Sequence, residues 1–176
     1  ESIDDRVLER LDKGHTRDDF LRVVRLCREA GLTLHPTFVA FTPWISIEGY
    51  QELLSLLAEL DLIDHVAPIQ LAIRLLIPAG SKLLELPEVQ EIVGPFDETA
   101  LIYPWRPSDP RVDRLQGDIQ ALVGAATARG ASRREIFAQV WLLAEQAPGG
   151  LGRPLPLSVQ TPARVTIPYL TEPWYC

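Results

Sequence analysis

The sequence contains no methionine, only two cysteines and no long uninterrupted hydrophobic run. Cys27 and Cys176 lie far apart, so they do not form the dense cysteine framework of a small disulfide-rich protein. Apolar runs such as LLSLLAELDLI meet charges well before the roughly 20 residues that a membrane-spanning helix needs. A basic leader followed by an apolar stretch is also missing from the start. We therefore expect a cytoplasmic protein without a membrane span.

Positive charge is scarce as well. The 24 Asp and Glu residues outnumber the 17 Lys and Arg residues, which gives a net charge of −7 at pH 7. Such a surface does not neutralise phosphates, so nucleic acid is not an expected partner. With 47% hydrophobic and 23% charged residues, the 176-residue chain fits a globular domain with a sizeable core. Because it opens on Glu1 and lacks methionine, we expect the natural protein to begin upstream.

Several motifs that carry chemistry are missing. The three histidines, His15, His35 and His65, lack partners at the spacing of a zinc site. There is no glycine-rich phosphate loop, nucleophile elbow or HExxH motif, so the sequence predicts no metal ligands and identifies no catalytic residue. Cys27 falls on the apolar stripe of a predicted helix, where we expect a core role. Cys176 ends an aromatic tail, where a thiol would be accessible.

Capping signals predict the helices. Five of them should begin near Ser2, Thr16, Ser46, Asp109 and Ser132. Each of these side chains can accept a hydrogen bond from a free N–H in the first helical turn. The second helix should cover residues 17–30, because Gly31 supplies a left-handed stop. The last two should form a hairpin around Gly130.

Two apolar segments between these helices predict β-strands. Residues 33–41 are apolar on both faces, as in a parallel strand covered by helices. Residues 65–78 alternate, which places Gln70 and Arg74 on one face. Helices that alternate with strands in this order indicate an α/β fold with a parallel sheet. Two strands do not complete such a sheet, so the other strands should come from residues upstream or from another chain.

The face with Gln70 and Arg74 is the clearest functional candidate. An amide and a guanidinium that point into a sheet interior need a partner or a ligand. The alternative is that this face lies at a solvent-exposed edge of the sheet, with Arg74 in a surface ion pair. Thr37 either faces the same interior or is simply a good strand former.

Part of the chain resembles a known family. A starting ES, then LDKGHTRDDFLRVVRLCREAGL, then a strand and a proline turn resemble the middle of radical S-adenosylmethionine (SAM) enzymes. RLLIPAGSKLLE resembles the segment that follows their sixth barrel strand. The closing TEPWYC, with HPTFVAFTPW and IRLLIPAGS, is similar to a subgroup that ends in Cys-Cys-Ala-Glu-Pro or Cys-selenocysteine-Ala-Glu-Pro. As a hypothesis, a UGA codon for selenocysteine follows Cys176.

The resemblance implies the C-terminal half of a partial (β/α)6 TIM-like barrel with a helical C-terminal extension. Residues 1–93 would form the half-barrel, 94–147 a loop and helical hairpin, and 148–176 a proline-rich extended tail. SAM would lie inside the barrel against a 4Fe-4S cluster, whose CxxxCxxC ligands lie outside this chain. The other partners would be a reductant and a small-molecule substrate that the sequence does not identify.

The resemblance also implies cofactor contacts near the start of the chain. Glu1 matches a position that meets the amino or ribose end of SAM, and Lys13 matches a position that neutralises its carboxylate. By themselves these residues have simpler explanations. An acid suits the start of a helix, and a cation suits its end.

Further contacts are implied along the two predicted strands. Thr37 would meet the ribose, and the backbone at Val39 and Ala40 would meet the adenine. Gln70 and Arg74 would project toward cofactor or substrate. The turn Phe41-Thr42-Pro43-Trp44 departs from the Gly-x-Pro-Gly-Glu of many relatives.

The predicted function is therefore that of a radical SAM enzyme, of which this chain is a part without activity of its own. With its missing half, it would use the cluster to cleave SAM reductively and start radical chemistry. Two alternatives are a non-catalytic interaction module and an iron-free β/α-barrel enzyme. The latter would bind an anionic small molecule through Lys13 and Arg74.

Overall fold

The computed structural model describes residues 1–149 and 152–156. The α-helices within this part are α1 (Asp5–Arg10), α2 (Arg17–Glu29), α3 (Ile47–Glu59), α4 (Pro87–Gln90), α5 (Pro110–Ala128) and α6 (Arg133–Gln146). Short 3₁₀ helices occupy Ile63–His65, Pro68–Leu71 and Lys82–Glu85. In this part of the chain, no helix is both long and apolar enough to cross a membrane. Most of the predicted tail, including Cys176, lies outside the described residues.

Local capping chemistry places the helices as the sequence predicts. The caps at Thr16, Ser46, Asp109 and Ser132 are confirmed, each with a side chain that accepts from a first-turn N–H. The first helix differs from the prediction. Its cap is Asp4, whose carboxylate accepts from the backbone N–H of Arg6. The hydroxyl of Ser2 instead accepts from the Asp4 N–H, so α1 starts later than predicted.

The predicted half-barrel is wrong. The described residues contain helices and isolated β-bridges but no sheet, and therefore no half of a TIM-like (β/α) barrel. Residues 33–40 have no regular secondary structure, and the 65–78 segment includes a 3₁₀ helix. One parallel bridge, between Phe41 and Arg74, is the only pairing between the two segments predicted as strands.

Proline and a side-chain hydrogen bond explain why the two segments do not form strands. Pro68 begins the 3₁₀ helix Pro68–Leu71, which interrupts the alternation on which the strand prediction rested. Pro36, within the first segment, has no N–H to donate to a ladder. The N–H of Phe38 donates to the side-chain Oε1 of Gln70 at 2.9 Å. Gln70 and Arg74 consequently do not share one face of a strand.

Helix α3 lies at the centre of the main core. Eight of its residues are buried, including Tyr50, Leu54 and Leu57. Its polar groups reach neighbouring segments: the hydroxyl of Tyr50 donates to the carbonyl of Leu71 at 2.9 Å, and the amide of Gln51 donates to the carbonyl of Ala144 at 3.0 Å. Burial raises the pKa of Tyr50 well above its usual value, so this hydroxyl remains a donor. The α5–α6 hairpin contributes to the same core.

A core substitution in the hairpin tests this packing. Ile119 in α5 is completely buried, whereas Leu142 in α6 is 49% exposed. Ile119→Ala should lower the free energy of unfolding by about 2 to 5 kcal/mol, because it removes buried methyl groups and leaves a cavity. Leu142→Ala is the control, with an expected change within about 0.5 kcal/mol. Equal losses in urea unfolding would contradict a core shared by the hairpin and α3.

The contact between His65, which follows α3, and the segment before α3 should make the stability of the chain depend on pH. The ring Nδ1 of His65 lies 3.0 Å from the carbonyl of Leu34, and its ring centroid is 5.6 Å from that of His35. Burial lowers the pKa of His65, and the nearby His35 lowers it further, while the hydrogen bond to the Leu34 carbonyl and the charges of Asp64 and Asp61 oppose the shift. His65 therefore binds a proton more readily in the unfolded chain than in the folded chain. The free energy of unfolding present at pH 8 should decrease as the pH falls through the ordinary pKa of histidine and then through the lowered pKa of folded His65.

The matched variants for this pH effect are His65→Asn and His15→Asn. Asparagine keeps a donor near the Nδ1 position but does not titrate. His65→Asn should flatten the fall in thermal midpoint between pH 8 and pH 5, whereas His15→Asn, at an exposed site, should retain it. Identical pH profiles for the two variants would show that His65 is not the responsible group.

Candidate functional site

A cleft of about 340 Å³ opens where the start of the chain meets α3. Its walls come from four places: residues 1–6, the start of α2, residues 39–45 and the first turns of α3. The lining residues are Glu1, Ser2, Ile3, Asp4, Asp5, Arg6, Arg17, Val39, Ala40, Thr42, Ile45, Gly49, Glu52 and Leu53. Three of the predicted cofactor contacts, Glu1, Val39 and Ala40, thus share one cleft.

Backbone hydrogen bonds bring these walls together. The N–H of Val39 donates to the carbonyl of Glu1 at 2.9 Å. The N–H of Phe41 donates to the carbonyl of Ile73, and the N–H of Leu75 donates back to the carbonyl of Phe41. The segment around Val39 and Phe41 is therefore held on one side by the start of the chain and on the other by residues 73–75.

Glu1 and Lys13 form an ion pair beside this cleft. The Nζ of Lys13 lies 2.7 Å from Oε1 of Glu1. Gly14 follows in the left-handed region, with φ of 65°, and turns the chain after Lys13 toward α2. The hydrogen bond from Lys13 is the main cause of a lowered pKa at Glu1. Glu1 is therefore a carboxylate at neutral pH, next to a cation.

The lining of the cleft has an excess of negative charge. Glu1, Asp4, Asp5 and Glu52 are opposed by the guanidinium groups of two arginines, Arg6 and Arg17, so the formal charge of the lining is −2. Asp4 is paired with Arg6 at 2.9 Å, whereas Arg17 and Glu52 are 4.0 Å apart. Such a cleft attracts cations and disfavours anions.

Thr42 is a lining residue that the sequence analysis did not identify as a site. Its side chain is 2% exposed, and its buried Oγ1 has no hydrogen-bond partner within the described residues. The backbone carbonyl of Thr42 accepts from Ile45, which fixes the turn but leaves the hydroxyl unsatisfied. Nothing in the sequence FTPW marks this threonine as a site residue. Only the folded surroundings show that its hydroxyl is buried without a partner among the described residues.

The other predicted contacts lie elsewhere. Thr37 is exposed and is not part of the cleft lining. Oε1 of Gln70 accepts from the backbone of Phe38. Arg74 donates to the carboxylate of Asp113 and to the carbonyl of Trp105, and its guanidinium lies 3.8 Å from the centroid of the Trp105 ring.

Arg74 does line a second cleft, of about 560 Å³, together with Trp105, Arg106 and Asp113. This cleft is larger than the one at Glu1, but the cation of Arg74 is already matched by Asp113 and Trp105. We therefore interpret Arg74 as a residue that joins its own segment to Trp105 and to Asp113 of α5, rather than as a ligand contact.

The described residues do not fit an iron-sulfur cluster. Among residues 1–149 and 152–156, no group of three or more His, Cys, Asp or Glu side chains is arranged to hold a metal ion. Cys27 is a half-buried free thiol on α2. A 4Fe-4S cluster needs cysteine thiolates that this part of the chain does not provide.

Comparison with known proteins adds no family: no family model matches the chain, and no curated protein and no solved structure matches it.

The structural role of Arg74 is testable. Arg74→Met removes hydrogen bonds from a charged donor to Asp113 and Trp105, so we expect the free energy of unfolding to fall by about 2 kcal/mol. Arg106→Met, an exposed change in the same cleft, is the control and should have little effect on urea unfolding. Unchanged stability in Arg74→Met, accompanied by weaker SAM binding, would restore Arg74 as a ligand contact.

Proposed function

We propose that the chain is part of a radical SAM enzyme and that its contribution is to bind SAM in the cleft at Glu1. The observation that carries the proposal is the meeting of Glu1, Val39 and Ala40 in one cleft, with Lys13 bonded to Glu1. Glu1 is far in the sequence from the neighbouring Val39 and Ala40, and each of these residues matches a SAM-contacting position in the family that the chain resembles. The proposal does not require the TIM-like barrel, which is absent from the described residues.

The charge of the cleft supports a cationic ligand. SAM carries a sulfonium and an ammonium group against one carboxylate, so its net charge is positive at neutral pH. The carboxylates in the lining would stabilise those cations. Lys13, which lies outside the lining, would hold the Glu1 carboxylate in place through their ion pair. A volume of about 340 Å³ is near the lower end of the roughly 300 to 1,000 Å³ range of small-molecule sites.

The described residues would bind and orient SAM but would not cleave it. In a radical SAM enzyme a 4Fe-4S cluster supplies the electron for that cleavage. Because the described residues do not fit a cluster, its ligands would have to come from other residues. The alternative of an enzyme for anionic small molecules is disfavoured, since the lining is acidic and the barrel is absent from the described chain.

A non-catalytic interaction module is the second candidate. Helix α2 leaves Val23 42% exposed and Leu26 51% exposed, and Leu32 just beyond it is 64% exposed. Val23 and Leu26 lie three positions apart and therefore on one side of the helix, and exposed apolar side chains arranged in this way favour a protein partner. This candidate predicts no affinity for SAM, so the same binding experiment distinguishes the two.

Calorimetric titration of SAM into the 176-residue chain tests the proposal. The chain should bind SAM more tightly than S-adenosylhomocysteine, because only SAM has the sulfonium charge, and added salt should weaken the binding. Glu1→Gln should weaken SAM binding by about tenfold, because it removes a carboxylate from the lining that would stabilise the cations of the ligand.

Glu98→Gln provides the matched control, since Glu98 is exposed and lies outside the cleft. It should bind SAM as the unmodified chain does. Absence of SAM binding, or equal affinity of Glu1→Gln and Glu98→Gln, would contradict the proposed site.

A further inference from the structure

The cleft contains a buried hydroxyl with nothing to bond. Thr42 is among the most buried lining residues, at 2% exposure, and its Oγ1 has no hydrogen-bond partner within the described chain. Buried polar atoms in native proteins are nearly always satisfied, so an unsatisfied one calls for a cause. The Oγ1 atom has almost no accessible surface in this rotamer, so a ligand in the cleft would reach the hydroxyl only after the side chain rotates. A ligand that brings its own donor or acceptor would then be such a cause.

Energetics favour this explanation over a structural one. An unsatisfied buried hydroxyl destabilises the folded chain, whereas an apolar group of the same shape in its place is neutral or stabilising. Valine has that shape and would fill the same volume. The threonine therefore lowers the free energy of unfolding of the ligand-free chain. This destabilisation is removed only when a partner hydrogen-bonds the hydroxyl.

The surroundings of Thr42 indicate which part of a ligand would reach it. On one side in sequence are Val39 and Ala40, and on the other are Ile45 and Leu53, all lining the cleft and all apolar. A flat ring with apolar faces and a polar edge suits such a place. The charged lining residues lie on other segments, at residues 1–6, Arg17 and Glu52.

We propose that Thr42 is a specificity-determining residue whose hydroxyl hydrogen-bonds the edge of the nucleobase of the bound nucleoside. A threonine hydroxyl both donates and accepts, and rotation about Cα–Cβ exchanges the positions of its methyl and hydroxyl groups. The purine would lie against the apolar lining, with its polar edge at Oγ1. The inference rests on the proposed function, because it assigns the nucleoside end of SAM to this part of the cleft.

The experiment compares Thr42→Val with Thr42→Ser in the 176-residue chain. Each variant is titrated with SAM, adenosine and methionine, and its thermal midpoint is measured without ligand. Thr42→Val should bind both SAM and adenosine about tenfold more weakly, because one hydrogen bond to the base is lost. Thr42→Ser keeps the hydroxyl and should stay within about threefold of the unmodified chain. Any affinity for methionine, which has no base, should be the same in all three.

The thermal midpoint separates a ligand contact from a structural role. Without ligand, Thr42→Val should melt at the same temperature as the unmodified chain or higher. Thr33→Val is the control, since Thr33 is exposed and lies outside the cleft; it should bind SAM and adenosine as the unmodified chain does. A lower midpoint for Thr42→Val would mean that the hydroxyl has a partner in the folded chain, and would overturn the inference.

The binding results distinguish the two proposals. If the unmodified chain binds SAM and Thr42→Val binds it equally well, the assignment of Thr42 is wrong and the proposed function stands. If the chain binds adenosine with the Thr42 dependence described but does not bind SAM, the proposed function fails and the nucleobase contact stands. If it binds neither, both are wrong.

Discussion

The candidate site depends on one backbone hydrogen bond, from the N–H of Val39 to the carbonyl of Glu1. It holds the start of the chain against residues 39–42, next to the buried side chain of Ile3 and the hydrogen bond from the Arg17 N–H to the Asp5 carboxylate. Residues 73–75 hold the same segment from its other side through Phe41. The core around α3 fixes the far wall, because Ile47, Leu53 and Leu54 are buried there. The cleft is thus a consequence of how short segments pair, and not of a continuous sheet.

Local rules predict the helices because capping involves residues only two or three positions apart. Thr16 and Ser132 form complete capping boxes with Asp19 and Glu135, and both are legible from the sequence. The strands were predicted from hydrophobic patterns, an apolar run at residues 33–41 and an alternation at residues 65–78, and that prediction is wrong for a physical reason. Pro68 starts a 3₁₀ helix inside the alternating segment, while Gln70 uses its side chain to accept a backbone N–H that a strand would have paired.

The residues of the candidate site were likewise only partly predictable from the sequence. Glu1, Val39 and Ala40 were suggested by resemblance, and their meeting in one cleft supports the proposed use. Arg74 was expected to face a ligand, but Asp113 and Trp105, which are more than thirty residues away in the sequence, hold its guanidinium. Thr42 could not have been found, because the absence of a partner for a hydroxyl is a property of the folded surroundings. Long-range contacts of this kind are what single-sequence reasoning lacks.

Hydrogen–deuterium exchange of the 176-residue chain with and without SAM tests most directly whether the cleft is the binding site. The account predicts that SAM slows exchange at the amides of residues 1–6 and 39–45 and in the first turns of α3, with little change around Trp105. Protection centred on Arg74 and Trp105, or no protection at saturating SAM, would contradict it.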